Sequence, residues 1–178
     1  MILSDRSIIA LQARQNLIDP FDPECVQPAS YDLHLGHTFL EPEWRNPMHQ
    51  PILIDELPPF LFSGHSDSYV LASHKFALAT TMETVYIPND LAAKLEGKSS
   101  LARIGLFVHI TAGFVDPGFR GELTIEMFNA SPYHYRLLVG MPIAQIAKMV
   151  NKPAGTVRVT LHRCLKDLKY FIKDVRES

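Results

Sequence analysis

Short segments in which apolar and polar residues alternate follow one another from residue 69 onwards, and this pattern constrains the fold most. The segments are rich in β-branched and aromatic residues and are separated by turn-forming residues. A period of two is typical of strands with one buried face. Short strands at this spacing predict a mainly β chain, built as a sandwich or a barrel. The predicted strands are Tyr69–Leu71, Phe76–Thr81, Thr84–Ile87, Phe107–Ile110, Glu122–Asn129, Tyr135–Val139 and Ile143–Val150.

A short helix is predicted near the N-terminus. Ser4 is a favourable N-cap residue, and Asp5–Ala13 carry apolar side chains at helical spacing. The side of this helix that we expect to be buried carries Ile8, Ile9 and Leu11.

A half-buried strand is predicted where Tyr31, Leu33 and Leu35 alternate with polar residues, and Gly36 is expected to end it. Residues 41–66 contain five prolines and few periodic signals, which predicts a long loop. A further short helix is predicted at Ser99–Ile104, capped by one of its serines.

No domain boundary is evident, so we treat residues 1–178 as a single domain. The final segment, Leu161–Ser178, fits either a helix or a mobile tail. Residues 155–178 are therefore set apart as a possible C-terminal tail.

Composition favours a soluble, cytoplasmic protein. Hydrophobic residues make up 47% and charged residues 20% of the chain. The net charge of -2 does not favour a nucleic-acid partner, although a few cations in one pocket suffice for a small anion. The two cysteines are far apart, which is typical of reduced intracellular proteins, and neither a signal peptide nor an apolar membrane span is recognisable.

The segment Gly97–Arg103, GKSSLAR, is the densest concentration of polar chemistry. Free backbone N–H groups at a helix start favour an anion, and Lys98, Ser99, Ser100 and Arg103 add further donors. A P-loop is rejected because its first glycine has no counterpart. From spacing alone, a phosphate site and an ordinary capped helix with solvated cations are equally supported.

Two further segments carry candidate site residues. Asp116-Pro117-Gly118 is a turn signal, read as a hairpin turn that Gly121 closes. These residues alone favour a plain turn between two strands; in the functional alternative, Asp116 would meet a sugar hydroxyl or a water beside the apolar wall of Phe119. In the strand that follows, Glu126 shares a face with Thr124 and Phe128. That face is either solvated or the floor of a pocket, where partial burial would suit the glutamate for proton transfer.

Zinc chemistry is not indicated. Zinc nucleobase deaminases carry an H-x-E sequence and a later P-C-x-x-C, whereas this chain has no C-x-x-C. His34 and His37 would face opposite sides of a strand, and His109 is a single histidine in an apolar strand. We therefore predict no protein-bound metal site.

Five motifs span most of residues 1–150. They are PASYDLHLG at Pro28–Gly36, GKSSLARIG at Gly97–Gly105, HITAGFVDPGFRG at His109–Gly121, TIEMFN at Thr124–Asn129 and GMPIAQI at Gly140–Ile146. Taken together, in this order and spacing, they make the chain resemble the dCTP deaminase family of the trimeric dUTPase superfamily. The resemblance implies a distorted β-barrel or jelly roll with a few short helices, assembled as a homotrimer or hexamer with sites between subunits.

The resemblance also implies roles for individual residues. The substrate would be dCTP or dUTP, with Mg²⁺ held mainly by the triphosphate and no zinc. Glu126 would be the base and acid that moves protons as water attacks C4 of cytosine, with Ser99, Arg103 and Asp116 completing the catalytic set. The residues that would bind substrate are Lys98, Ser99, Ser100, Arg103, Ala112, Asp116, Phe119, Gln145, His162, Lys169 and Tyr170.

One branch of the family also converts dUTP to dUMP and pyrophosphate, and it carries a glycine and a large apolar residue after a Thr-Ala pair. Gly113 and Phe114 match that pattern, which favours the dUMP-forming branch. In the tail Lys169 and Tyr170 match the family's lid, and His162 would replace a tyrosine. The lid's base-reading glutamine has no counterpart, so a pyrophosphatase without deaminase activity and a non-catalytic nucleotide-binding protein remain alternatives.

Overall fold

The computed structural model describes residues 3–42, 60–110 and 113–151. Across these residues, ten strands hydrogen-bond into one curled sheet in the order β8-β10-β6-β3-β12-β7-β9, with β1, β2 and β4 attached to its members, and β11 pairs with β5 separately. The elements are α1 Asp5–Gln15, β1 Ile18–Asp19, a 3₁₀ turn Pro23–Cys25, β2 Val26–Gln27, β3 Ser30–Pro42, β4 Phe60–His65, β5 Ser68–Leu71, β6 Phe76–Tyr86, β7 Leu91–Gly97, α2 Ser99–Ala102, β8 Leu106–Val108, β9 Phe114–Val115, β10 Arg120–Asn129, β11 Tyr135–Leu138 and β12 Pro142–Asn151.

The mainly β architecture confirms the predicted fold class. The long strand β3 joins the two parts of the sheet, because its first residues pair with β12 and its later residues pair with β6 and β4. Alternate residues of β3 and β10 face the interior, as the pattern predicted. The buried side chains from these strands include Tyr31, Leu33, Leu35, Leu123, Ile125 and Met127.

Strand β3 does not end at Gly36, as the sequence had suggested, but continues to Pro42. A Cβ at Gly36 would lie 2.8 Å from the backbone oxygen of Thr81, so this glycine permits a close approach to β6. The register between β3 and β6 shifts between Leu35 and Phe39. The glycine therefore marks an irregularity within a strand rather than its end.

Several other predicted bounds need correction. The helix capped by Ser4 extends to Gln15, and Ile9 is exposed on it, whereas Ile8 is buried. Strand β6 is continuous where two strands were predicted, and the long loop at 41–66 contains β4.

The turn after β9 is not a hairpin. Strand β9 pairs with β7, whereas β10 pairs with β6 and β8. Asp116-Pro117-Gly118 therefore carries the chain from one part of the sheet to the other. No helix among the described residues is long and apolar enough to span a membrane.

Candidate functional site

The segment after β7 forms a short helix that presents polar side chains to solvent. Lys98, rather than a serine, occupies the N-cap position, and the helix ends at Ala102 instead of Ile104. The N–H groups of Leu101 and Ala102 donate to the Lys98 carbonyl at 3.0 and 3.1 Å. With these donors used inside one turn, an anion would depend on the side chains and the first N–H groups. The exposed side chains on this turn are Ser99, Ser100 and Arg103.

Lys98 is held by an ion pair that sequence reasoning missed. Its Nζ lies 2.5 Å from Oδ2 of Asp32, with the two side chains only 24% and 15% exposed. Gln27 Nε2 donates to the same carboxylate oxygen at 3.5 Å. Asp32 was visible in the sequence only as a polar position of an alternating strand, and its partner lies 66 positions away.

Gln145 belongs to the same polar face. In the register of the sheet it stands between Asp32 on β3 and Glu96 on β7. Its Oε1 accepts a hydrogen bond from the Ser30 hydroxyl at 3.3 Å. Cross-strand neighbours share one face of a sheet, so Gln145 is placed beside the anchor of Lys98.

Glu126 is half-buried and is fixed by the segment that follows β8. Its Oε2 accepts a hydrogen bond from the Ile110 N–H at 3.1 Å, and its backbone oxygen accepts from the His109 N–H at 2.8 Å. His109 has a φ of 68°, a conformation unusual for any residue other than glycine. This backbone turn points consecutive N–H groups towards Glu126, so the carboxylate is held instead of lying free in bulk water.

The turn after β9 is anchored against the end of β6. The Phe119 N–H donates to the Asp116 carbonyl at 3.1 Å, and the Phe119 carbonyl accepts from the Ile87 N–H at 2.9 Å. Gly118, with a φ of 83°, takes a conformation that favours glycine. The Asp116 side chain is exposed and Phe119 is half-buried.

The segment Val108–Ile110 brings two of these features together. A Cβ at Gly97 would lie 2.5 Å from the Val108 oxygen, so the start of the polar turn is packed directly on this segment. Glu126 is bound to its other end through Ile110. Glu126 and the polar turn that begins at Gly97 therefore both contact the segment Val108–Ile110.

The Asp116 turn lies elsewhere, at the far end of β10. Arg120 pairs with Tyr86, whereas Glu126 pairs with Leu78. Six residues of strand separate these positions, roughly 20 Å at about 3.3 Å per residue. Of the remaining predicted site residues, Ala112, His162, Lys169 and Tyr170 lie outside the described residues.

The fold is the curled, mainly β architecture that the motifs implied. Its candidate site places a glutamate, held by a backbone N–H, next to a turn that carries serines and an arginine. The chain belongs to the dCTP deaminase-like family, whose model matches residues 2–148.

Individual relatives agree with this assignment. The dCTP deaminase, dUMP-forming, of Thermobifida fusca (strain YX) is 41% identical over 158 residues, which cover 86% of this chain and 81% of the relative. The enzyme of the same name from Clavibacter michiganensis subsp. michiganensis (strain NCPPB 382) is 42% identical over 164 residues, covering 88% and 82%. The 2'-deoxycytidine 5'-triphosphate deaminase of Agrobacterium tumefaciens superposes with a TM-score of 0.63 at 26% identity. That match covers 84% of this chain and about half, 47%, of the solved chain.

Proposed function

We propose that this protein converts dCTP to dUMP by deaminating the cytosine and then releasing pyrophosphate. The first reaction consumes one water and yields dUTP and ammonia, and the second consumes another water and yields dUMP and pyrophosphate. The observation that carries the proposal is the Glu126 carboxylate, half-buried and held by the Ile110 N–H next to the segment on which Gly97 packs. The names of relatives at 41–42% identity support the same pair of reactions.

Glu126 is proposed to move the protons of deamination. It takes a proton from the water that attacks C4 and delivers a proton to the departing amine, so that ammonia leaves and the uracil carbonyl forms. The N–H of Ile110 orients the carboxylate through Oε2. Ser99 and Arg103 supply donors for charge that develops on the base or the phosphates.

The phosphate groups are proposed to bind at the polar turn. Lys98, Ser99, Ser100 and Arg103 provide donors of the kind that triphosphates require. Mg²⁺ prefers oxygen ligands and is usually held by substrate phosphates with one or two carboxylates. Asp32, whose carboxylate contacts Lys98, is an oxygen ligand of that kind, and the cation would neutralise charge on the triphosphate.

Gly113 matches the sequence pattern of the dUMP-forming branch, and the structure shows that it also has a steric role. A Cβ at this buried position would lie 2.8 Å from Nε2 of His109 and 3.2 Å from the Leu95 oxygen. The glycine therefore lets the ring of His109, whose backbone N–H contacts Glu126, pack directly against the chain at position 113. We expect Gly113→Ala to slow pyrophosphate release more than ammonia release, so that dUTP accumulates from dCTP. An equal loss of both products would separate Gly113 from the choice of product.

A homotrimer, or a pair of trimers, is proposed as the active assembly. Asp116 lies in the turn that leads into β10 and Glu126 lies towards the other end of that strand, so sites between subunits would unite residues that one chain keeps apart. A group of exposed apolar side chains around the site is typical of an interface. These side chains are Ile104, Phe107, Ile110 and Phe114.

A deoxynucleoside triphosphate substrate favours a cytoplasmic location and requires no nucleic-acid partner.

Product analysis tests the proposal. The protein is incubated with dCTP and with dUTP separately, in the presence of Mg²⁺, and nucleotides and ammonia are measured. Formation of dUMP from both substrates, with ammonia from dCTP, is expected. If dUMP arises only from dUTP, the protein is a pyrophosphatase, and if nucleotides bind without turnover, it is a binding protein.

The variant Glu126→Gln tests the role of the carboxylate. It should lower ammonia release by at least about a hundredfold, because general acid–base assistance is commonly of that size. Glu122→Gln is the matched control, since Glu122 lies exposed on the same strand and face. Undiminished ammonia release by Glu126→Gln would remove this residue from the mechanism.

A further inference from the structure

A second group of reactive side chains lies two residues along β3 from Asp32 and has no part in the proposed reaction. Cys25 Sγ lies 3.8 Å from Nε2 of His34, and Nδ1 of His34 lies 2.5 Å from Oε1 of Glu83. Cys25 closes the 3₁₀ turn, His34 is on β3, and Glu83 is on β6. A thiol, an imidazole and a carboxylate thus form a continuous chain of contacts.

Glu83 fixes the orientation of the imidazole. Its side chain is only 4% exposed, and its two oxygens also accept from the His34 backbone N–H at 3.2 and 3.0 Å. A carboxylate at Nδ1 favours the proton on that nitrogen, which leaves the lone pair of Nε2 directed at Cys25. A carboxylate in this position also stabilises the imidazolium that forms when Nε2 takes up a proton.

Cys25 is half-buried and rests as a thiol. Burial raises the pKa of its thiol, and the carboxylates of Asp22, Asp32 and Glu83 raise it further, whereas the hydroxyl of Tyr31 lowers it. A thiolate is therefore not formed in advance, and any reaction of the sulfur needs a base within hydrogen-bond reach. His34 is that base by position.

We propose that Cys25 is a modification site at which His34 assists attack of the thiol on small disulfides. The sulfur bonds to one sulfur of the disulfide, whose S–S bond breaks. The thiol proton passes to Nε2 of His34 and then to the departing thiolate, so the products are a mixed disulfide at Cys25 and one free small thiol. The carboxylates around Cys25 disfavour anionic disulfides, so neutral and cationic ones are the preferred class.

The experiment uses the full chain with Cys164→Ser, which leaves Cys25 as its single cysteine. Mass spectrometry follows adduct formation with 2-hydroxyethyl disulfide at pH 7, and cystamine and 3,3'-dithiodipropionate serve as the cationic and anionic probes. Adduct formation should slow at least about tenfold in His34→Gln. His37→Gln, an exposed histidine on the same strand, should leave the rate unchanged. The rates should fall in the order cationic, neutral, anionic.

The pH dependence provides a readout that does not require a folded variant. A thiol that passes its proton to a base within the protein reacts with a weaker dependence on pH than an unassisted thiol, whose rate rises with each pH increase up to its raised pKa. A rate that climbs tenfold per pH unit from 6 to 9, or equal rates for the parent and a folded His34→Gln, would overturn the proposal. These readouts measure thiol chemistry alone, so they are independent of nucleotide turnover.

Discussion

Thr81 holds an irregular part of β6 together, and its hydroxyl offers a direct test of how the sheet is stabilised. The residue is 1% exposed. Its Oγ1 accepts from the Leu123 N–H at 2.9 Å and donates to the Glu83 carbonyl at 2.8 Å. Between the pairs Glu122–Thr84 and Thr124–Thr80, β6 advances four residues while β10 advances two. The hydroxyl thus replaces strand partners that the bulge removes.

Thr81→Val keeps the shape of the side chain and removes both hydrogen bonds. Each buried backbone group left without a partner costs about 1–3 kcal/mol, and the new methyl group recovers roughly 0.8 kcal/mol. We therefore expect the free energy of unfolding to fall by about 1–5 kcal/mol.

Urea unfolding followed by circular dichroism measures this loss, with the slope checked for two-state behaviour. Thr80→Val is the matched control, since Thr80 is half-buried on the same strand and its hydroxyl makes no hydrogen bond within the described part of the chain. A loss below about 0.5 kcal/mol, or one equal to that of the control, would refute the reasoning.

Two further predictions concern β3. In a double-mutant cycle of Asp32→Asn and Lys98→Met, urea unfolding should give a coupling free energy between the two side chains of about 1–2 kcal/mol, because their ion pair is largely shielded from solvent. If the effects of the two substitutions simply add, the ion pair contributes nothing to stability. Burial raises the pKa of Tyr31 from its usual value near 10 to about 12, so the folded state favours the neutral phenol. Stability should therefore hold below pH 10 and fall as the pH rises towards 12. Tyr31→Phe should lose less stability than the parent between pH 9 and 11.5 in the same assay.

Alternating strands were the part of the fold that the sequence predicted best. In β10 the period of two identified Leu123, Ile125 and Met127 as the buried side, and all three are buried. Strand β7, Leu91–Gly97, was missed because its alanines, lysine and glutamate favour helices in isolation. Pairing with β12 and β9 determines its conformation, and such long-range pairing has no local signature.

The candidate site was predictable only where its residues are close in sequence. The polar turn Gly97–Arg103 could be recognised from its own residues, although its N-cap and its end were displaced. Asp32 and its contact with Lys98 could not be recognised, because the sheet joins positions on strands far apart in sequence. The same holds for the contact between Ile110 and Glu126, which depends on the backbone turn at His109.

The bulge at Thr81–Glu83 connects the two sites. It delivers the Glu83 carboxylate to His34, and beyond it β10 resumes the register in which Glu126 pairs with Leu78. A slip of one residue would turn Glu126 towards the core and Ile125 towards solvent, because strand faces alternate. Loss of the Thr81 hydroxyl should therefore weaken both Cys25 reactivity and nucleotide turnover. Substitution of His34 acts on the far side of the bulge and should affect only the former, so comparing the two variants separates the register of the sheet from the chemistry of either site.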